Sequence, residues 1–349
     1  MLKMLLQAGL GLGLAAGIAG SAVAQDKLRV AMVASESGIG DRSFNDMVVV
    51  GLKRAEAELG VEYVVIQPRA ISDFQASLAR AAAQGFDLII GNSFDMVPPL
   101  EAVAKAFPDQ KFALIDAGME VPNVVSAVAK DWEGSAVVGY IAAKTTKTGK
   151  IGFVGGKDIP VIHRFFAGYY YGAKMADPNV EVLERYSGTF TDPAVGKEYT
   201  LALASEGSDI NYAVAGATSS GVIDGARESD TLAIGVDSNQ NYLAPGHVLT
   251  SMMKRVDTIT FDMVKSVQDN DFKGGQVLLY GLKEGGVDFA MDENNAGLIA
   301  PEVLADAEAF RDKIIAGEIV VPNYFDIAPG AKSMGEPPVP TPPSIADAK

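Results

Sequence analysis

Short apolar, β-branched runs alternate with amphipathic stretches along most of this sequence, and the alternation begins a second time after about residue 130. Apolar runs of this kind indicate parallel strands that helices cover on both faces. The sequence therefore predicts two similar α/β lobes. Their strands are expected at 28–35, 61–67, 86–93, 111–117 and 123–129 in the first lobe, and at 150–156, 180–188, 211–217, 232–237 and 248–255 in the second.

The segment after the second series is too short for a third domain, so the chain is predicted to cross back between the lobes. We predict that the first lobe comprises 25–130 together with about 256–292. The second lobe is predicted to comprise 131–255 together with about 293–328. Each lobe would then be built from two separate parts of the chain.

Both ends of the chain are predicted to lie outside the fold. Residues 1–24 combine Lys3, an apolar stretch and a small-residue site ending at Ala24, which is typical of a cleaved secretory signal peptide. The sequence contains no cysteine, so lipid anchoring at the cleavage site is excluded and a freely diffusing periplasmic protein is expected. Residues 329–349 are rich in proline and are expected to be extended or disordered.

Composition excludes several classes of function. The formal charge is −15, which argues against nucleic acid as a partner because no long basic run offsets it. With no cysteine and only two histidines, His163 and His247, the chain offers neither a disulfide framework nor a histidine-rich metal site. No cofactor and no metal are expected.

Topology alone selects candidate site residues, because ligands of open α/β sheets bind beyond the carboxyl ends of the strands. Two such sheet edges facing each other would form a cleft. Aromatic rings and a few carboxylates in that cleft would suit a small polar ligand with a flat ring. The rule selects Ser35, Phe94 and Asp116 in the first lobe, and Phe190, Gly216 and Asp237 in the second.

An enzymatic function finds less support in the sequence. Asp116, Asp237 and Lys254 could act as acid and base. However, no nucleophile elbow, Walker loop or metal-ligand spacing is present. Phe165, Tyr169 and Gly172 share one helical face, which we interpret mainly as core.

Motifs spread over nearly the whole chain resemble the basic membrane protein family of ABC-transporter substrate-binding proteins. The resemblance implies a type I periplasmic-binding-protein fold, with two Rossmann-like lobes joined by a three-crossover hinge. It also implies a nucleoside ligand, with purines favoured, an ABC-importer permease as partner, and a protein that acts as a monomer. The motifs include "GDRSFND" (40–46), "FPDQKFALIDA" (107–117), "GTFTDP" (188–193), "VAGATSSGVIDGARE" (214–228) and "VLTSMMKRVD" (248–257).

The resemblance assigns roles to the residues that would surround the base. Phe44 resembles the ring that stacks on the base from the first lobe, and Phe190 resembles an aromatic on the facing lobe. Asn45 is similar to a polar contact at the mouth of the helix. Gly216 would permit a close approach of the backbone to the ligand.

The resemblance also implies polar contacts to the ligand. Asp116 looks like the carboxylate that reads donors of the base or ribose, and Asp237 looks like the acceptor for ribose hydroxyls. Lys254 looks like a cation that pairs with Asp237 or donates to the ligand. Three further residues are expected at the site on position alone: Ser35, Phe94 and Trp132.

Two alternatives remain open from the sequence. The same fold could bind a free purine base or a sugar, or the protein could be a nucleoside hydrolase using Asp116 or Asp237. Binding without catalysis is the expectation, since the sequence offers no convincing catalytic group. Many family members carry a lipoprotein cysteine after the signal peptide, and this chain carries none.

Overall fold

The computed structural model describes residues 27–324, so the predicted signal peptide at 1–24 and the proline-rich tail at 329–349 lie outside the described residues. The described residues form two α/β lobes, each built around a six-stranded sheet. The predicted α/β class and the two lobes are therefore confirmed.

The strands and helices follow the predicted alternation. The first lobe begins with β1 (Arg29–Val33), α1 (Phe44–Leu59), β2 (Glu62–Ile66), α2 (Phe74–Ala83), β3 (Leu88–Asn92), α3 (Val97–Ala106), β4 (Phe112–Ile115) and β5 (Val124–Ala129). The second lobe follows with α4 (Asp131–Thr145), β6 (Lys150–Gly155), α5 (Pro160–Ala176), β7 (Glu181–Tyr186), α6 (Pro193–Ser205), β8 (Ile210–Val214), α7 (Ser219–Glu228), β9 (Leu232–Asp237) and β10 (Val248–Lys254). The chain ends with α8 (Val256–Gln268), β11 (Val277–Tyr280), β12 (Val287–Phe289) and α9 (Pro301–Ala316).

The two sheets repeat one topology. The first has the strand order β11-β5-β4-β3-β1-β2 and the second β12-β10-β9-β8-β6-β7, so β4 occupies the same place in the first sheet as β9 in the second. All pairings are parallel except that of β12 with β10. This repetition places the carboxyl ends of equivalent strands on the facing edges of the two lobes.

Three crossovers connect the lobes and lie side by side. The first two each consist of one residue between a strand and a helix of the other lobe, Lys130 before α4 and Arg255 before α8. The Lys130 amide donates to the carbonyl of Tyr280 at 2.8 Å, and the Arg255 amide donates to that of Gly286 at 2.8 Å. These bonds tie both crossovers to the third, which links β11 to β12.

The predicted lobe boundary near residue 292 is wrong by about one strand. Residues Val287–Phe289 were assigned to the first lobe, but they pair antiparallel with β10 of the second sheet. The chain therefore returns to the second lobe before Val287. Backbone pairing decides which sheet a three-residue strand joins, and three side chains are too few to show a pattern that predicts this.

Glycines allow α4 and α5 of the second lobe to pack with their backbones in contact. A Cβ at Gly168 would lie 2.2 Å from the carbonyl oxygen of Trp132, and one at Gly172 would lie 1.8 Å from that of Ala136. Phe165 and Tyr169, on the same face of α5, are both buried, and Phe165 also lines the cleft between the lobes. Within residues 27–324, no helix is both long and apolar enough to cross a bilayer.

Replacing Gly172 with alanine is expected to destabilise the protein by about 1–3 kcal/mol, since the helices would have to separate. Thermal or urea unfolding of the variant measures the effect. An unchanged midpoint would show that the helices have more room than the backbone distances indicate.

Candidate ligand-binding site

A cleft between the lobes lies at the carboxyl ends of the strands. It encloses about 660 Å³ free of protein atoms, part of it open to solvent. The first lobe lines it with Ser35, Glu36, Ser37, Phe44, Ser93, Phe94, Asp95 and Asp116, and the second with Ile159, Val161, Ile162, Phe165, Phe190, Val214, Ala215, Gly216, Val236, Asp237 and Lys254.

Eight of the ten residues selected from the sequence line this cleft, and two do not. Asn45 is fully buried behind the wall. Its amide nitrogen donates to Ser35 and Ser37 at 2.8 Å, and its amide oxygen accepts from Asn92 at 3.0 Å. Asn45 therefore holds the loop after β1 in place, while Trp132 packs against α5 through its backbone.

Phe44 enters the cleft because α1 begins there without using Ser43 as its cap. The carboxylate of Asp41 accepts the backbone N–H groups of Asn45 at 2.9 Å and Asp46 at 3.1 Å, which caps the helix. The hydroxyl of Ser43 is thereby free to donate across the cleft to Asp237. Asp41 thus caps the helix, and Ser43 makes the contact between the lobes.

Two aromatic rings reach the cleft from opposite lobes. Phe44 is the first residue of α1, and Phe190 follows β7 on the other side. The ammonium of Lys254 lies 4.9 Å from the ring centroid of Phe44, and that of Lys157 lies 5.4 Å from the ring centroid of Phe190. Each ring therefore carries a nearby cation at the site.

Gly216 lies where the two lobes approach closely. Its φ is +56°, and a Cβ there would lie 3.3 Å from the carbonyl oxygen of Phe190 and 3.6 Å from the hydroxyl of Ser37 in the other lobe. The residue thus combines a left-handed backbone with little space, which favours glycine at this point.

Asp116 and Asp237 occupy equivalent places in the two lobes. Asp116 follows β4 and Asp237 ends β9, and both have a left-handed backbone, with φ of +84° and +66°. Non-glycine residues held in this region are uncommon and often mark functional sites. The duplicated fold therefore presents one carboxylate from each lobe to the cleft.

A cluster of four buried charges lies beneath the cleft at the crossovers. Lys254 Nζ is 2.5 Å from Asp116 Oδ1 and 3.2 Å from Asp131 Oδ1, and Arg164 Nη2 is 3.2 Å from Asp116 Oδ1 and 2.7 Å from Asp131 Oδ2. Two carboxylates are thus balanced by two cations. The resemblance implies that Lys254 pairs with Asp237 or donates to the ligand, and its ion pairs in this structure are with Asp116 and Asp131.

The four buried charges shift one another's protonation. Burial disfavours the ionised form of Asp116, but Lys254 and Arg164 outweigh burial and lower the pKa of that carboxyl. Burial raises the pKa of Asp131 in spite of the same two cations. Burial also opposes the charged form of Lys254, yet Asp116 and Asp131 raise its pKa. Asp116 is therefore held as a carboxylate at neutral pH.

Asp237 is different because, within residues 27–324, its hydrogen-bond donor is a hydroxyl, that of Ser43. Burial raises its pKa to about 7, although Lys254 and Ser43 favour the charged form. The folded state then binds a proton more readily than the unfolded chain does between about pH 4 and pH 7. The contribution of Asp237 to stability is thus largest at low pH and is lost as the pH rises through about 7.

Asp237→Asn is therefore expected to stabilise the unliganded protein, with a gain that increases between about pH 4 and pH 7. Melting temperatures of the variant and the wild type across this range measure the difference. The exposed Asp109→Asn serves as the matched control and should show no such trend. A gain that stayed constant or shrank with rising pH would contradict the raised pKa of Asp237.

The lobes contact each other directly beside the cleft. The hydroxyl of Ser238 and the amide of Gln240 both donate to the carbonyl oxygen of Arg42, at 2.8 and 2.9 Å. Lys157 of the second lobe pairs with Glu36 of the first. These contacts hold the two lobes in a closed arrangement around the site.

Two members of the charged cluster could not be selected from the sequence. Asp131 follows Lys130 at a helix start and resembles an ordinary capping residue, and Arg164 lies within a helix rich in aromatics. The signal that distinguishes them is the crossover itself, since Asp131 and Lys254 flank the residues at which the chain changes lobe. Among residues 27–324, no group of three or more His, Cys, Asp or Glu could hold a metal ion.

Two α/β lobes joined by three crossovers around a cleft form the architecture that solute-binding proteins of the periplasmic-binding type have. The chain belongs to the Bmp family, described as PnrA-like ABC transporter substrate-binding proteins, and residues 28–324 match that family. The predicted family is thereby confirmed, as is the expectation that the protein is not an enzyme. As a family member, it acts outside the cytoplasm and binds a small molecule for an ABC transporter.

Individual relatives agree with the family assignment. The chain is 35% identical to the ABC transporter nucleoside-binding protein BmpA of Lactococcus lactis, over 85% of this chain and 89% of that protein. It is also 35% identical to basic membrane protein A of Borreliella burgdorferi, over 81% of this chain and 84% of that protein. A solved ABC transporter solute-binding protein from Aeropyrum pernix superposes with a TM-score of 0.79 and 31% identity, covering 84% and 94% of the two chains. The type I periplasmic-binding fold is thereby confirmed.

Proposed function

We propose that this protein binds a nucleoside, preferably a purine nucleoside, between its two lobes. The observation that carries the proposal is the pair of rings, Phe44 and Phe190, which line one cleft from opposite lobes. A base held between aromatic rings gains about 1–3 kcal/mol from each stacking contact. The Lactococcus lactis relative, which is a nucleoside-binding protein, supports the same ligand class.

The carboxylates supply the polar half of this recognition. Asp237 accepts hydroxyls of the ribose, and Asp116, kept ionised by Lys254 and Arg164, accepts donors of the base or ribose. A ligand without those donors leaves acceptor oxygens of these carboxylates without a hydrogen bond in a desolvated cleft, which is costly. A free base or a simple sugar would each satisfy only part of the site.

Transport follows from closure of the lobes. The protein acts in the periplasm as a monomer, closes on the nucleoside by a hinge motion at the three crossovers, and presents the closed form to the permease of an ABC importer. Contacts such as those of Ser238 and Gln240 with Arg42 stabilise that closed form.

A thermal-shift panel of nucleosides, free bases and sugars tests the ligand class. A ligand present at about 100 times its Kd stabilises the folded state by about 2.7 kcal/mol, which raises the melting temperature by several degrees. Purine nucleosides are expected to give the largest shift. A panel in which sugars raise the melting temperature and nucleosides do not would overturn the proposal.

A further inference from the structure

The four carboxylates that line the cleft differ in their hydrogen-bond and ion-pair partners within the protein. Three have a partner described above, either a cation or a hydroxyl: Glu36, Asp116 and Asp237. The carboxylate of the fourth, Asp95, receives no hydrogen bond from any side chain or amide between residues 27 and 324. Its own backbone N–H is satisfied, since it donates to the hydroxyl of Ser93 at 3.1 Å.

The position of Asp95 is fixed by the turn that carries it. It is the middle residue of a short 3-10 helix, Phe94–Met96, directly after β3. Ser93 caps this turn and Met96 is fully buried beneath it, so the backbone of Asp95 is anchored on both sides. The half-buried Asp95 therefore stands in the wall of the cleft beside Phe94.

Among residues 27–324, no cation forms an ion pair with Asp95. Burial raises the pKa of Asp95, Lys157 opposes this, and Glu36 reinforces it. Lys157 is engaged in its ion pair with Glu36 across the cleft. In the part of the chain that the structure describes, the charged groups that line the cleft are four carboxylates and one ammonium, that of Lys254. An anionic ligand would therefore meet excess negative charge.

We propose that Asp95 determines specificity by accepting a hydrogen bond from a donor of the nucleoside and by excluding ligands that carry a phosphate. The donor is an N–H group of the base or a hydroxyl of the ribose. A carboxylate that loses water on closure needs a donor in its place, and a phosphate offers only like charge. This inference rests on the proposed nucleoside-binding function.

A set of ligand analogues combined with Asp95→Asn tests the inference by calorimetry. The set comprises guanosine, inosine, adenosine, 2′-deoxyadenosine, 3′-deoxyadenosine, 5′-deoxyadenosine and adenosine 5′-monophosphate. Asp95→Asn is expected to reduce the affinity for nucleosides that carry the donor on the order of 10–100-fold, since hydrogen bonds to charged groups are stronger than those between neutral groups. The analogue that lacks the donor should be unaffected, which identifies the donor. In Asp95→Asn, the ratio of the affinity for adenosine to the affinity for its monophosphate should fall by at least about tenfold, because one negative charge is removed from the cleft.

The exposed Asp109→Asn makes the same change of charge away from the cleft and should bind every ligand as the wild type does. The inference is overturned if Asp95→Asn also binds every ligand as the wild type does. It is equally overturned if the variant loses affinity for all ligands by one factor. A wild-type protein that binds no nucleoside would instead overturn the proposed function, and the role of Asp95 with it.

Discussion

Lys254→Met is expected to abolish nucleoside binding and to lower the free energy of unfolding by about 3–5 kcal/mol. The side chain of Lys254 is 2% exposed, and its ammonium pairs with both Asp116 and Asp131. Methionine fills a similar volume but leaves two buried carboxylates with Arg164 as their one remaining cation in the cluster. Removing one partner of a buried ion pair is costly because the other charge stays buried without compensation.

Urea unfolding of Lys254→Met and of a surface control measures this effect. Lys105 forms an exposed ion pair with Glu101, so Lys105→Met should change stability by less than about 1 kcal/mol. Equal stabilities of the two variants would show that the buried cluster does not depend on Lys254. A stable Lys254→Met variant that still bound nucleosides would show that the charged cluster does not contribute to ligand binding.

Phe44→Ala is expected to reduce nucleoside affinity on the order of 10–100-fold, because loss of base stacking costs about 1–3 kcal/mol. Calorimetric titration measures the affinity, and Tyr242→Ala removes an exposed ring outside the cleft as the control. Phe190→Ala should have a comparable effect. The double variant should lose less than the sum, since both rings contact one base.

An unchanged affinity in Phe44→Ala would exclude stacking from the first lobe, whatever ligand is bound. The folded fraction of each variant needs a separate measurement, because Phe44 also packs against the core. A weaker affinity with an intact fold is the result that assigns the ring to the ligand.

The lobes were predictable because strand patterns are local. The apolar runs ending near Ser35, Asp116 and Asp237 identify strands, and parallel strands of one sheet direct their carboxyl ends to one edge. The boundary near 292 was not predictable in the same way. Residues 287–289 join the second sheet through backbone pairing with β10, and no pattern of three side chains shows which sheet they enter.

The site was predictable where a residue follows a strand and not where it acts across the fold. Phe190 stands in such a position and Phe44 begins the helix that follows β1, whereas Arg164 of the second lobe meets Asp116 of the first across the fold. Asn45 has the right position beside Phe44, but its amide is directed inward to hold the loop after β1. Side-chain direction at a helix start depends on neighbours that are distant in sequence.

Calorimetric titration of the purified protein with purine nucleosides tests the central proposal most directly. We expect one nucleoside to bind per chain, with an affinity that Phe44→Ala and Asp237→Asn each reduce at least about tenfold. No heat of binding with any nucleoside, together with saturable binding of a sugar that is indifferent to Phe44→Ala, would contradict it.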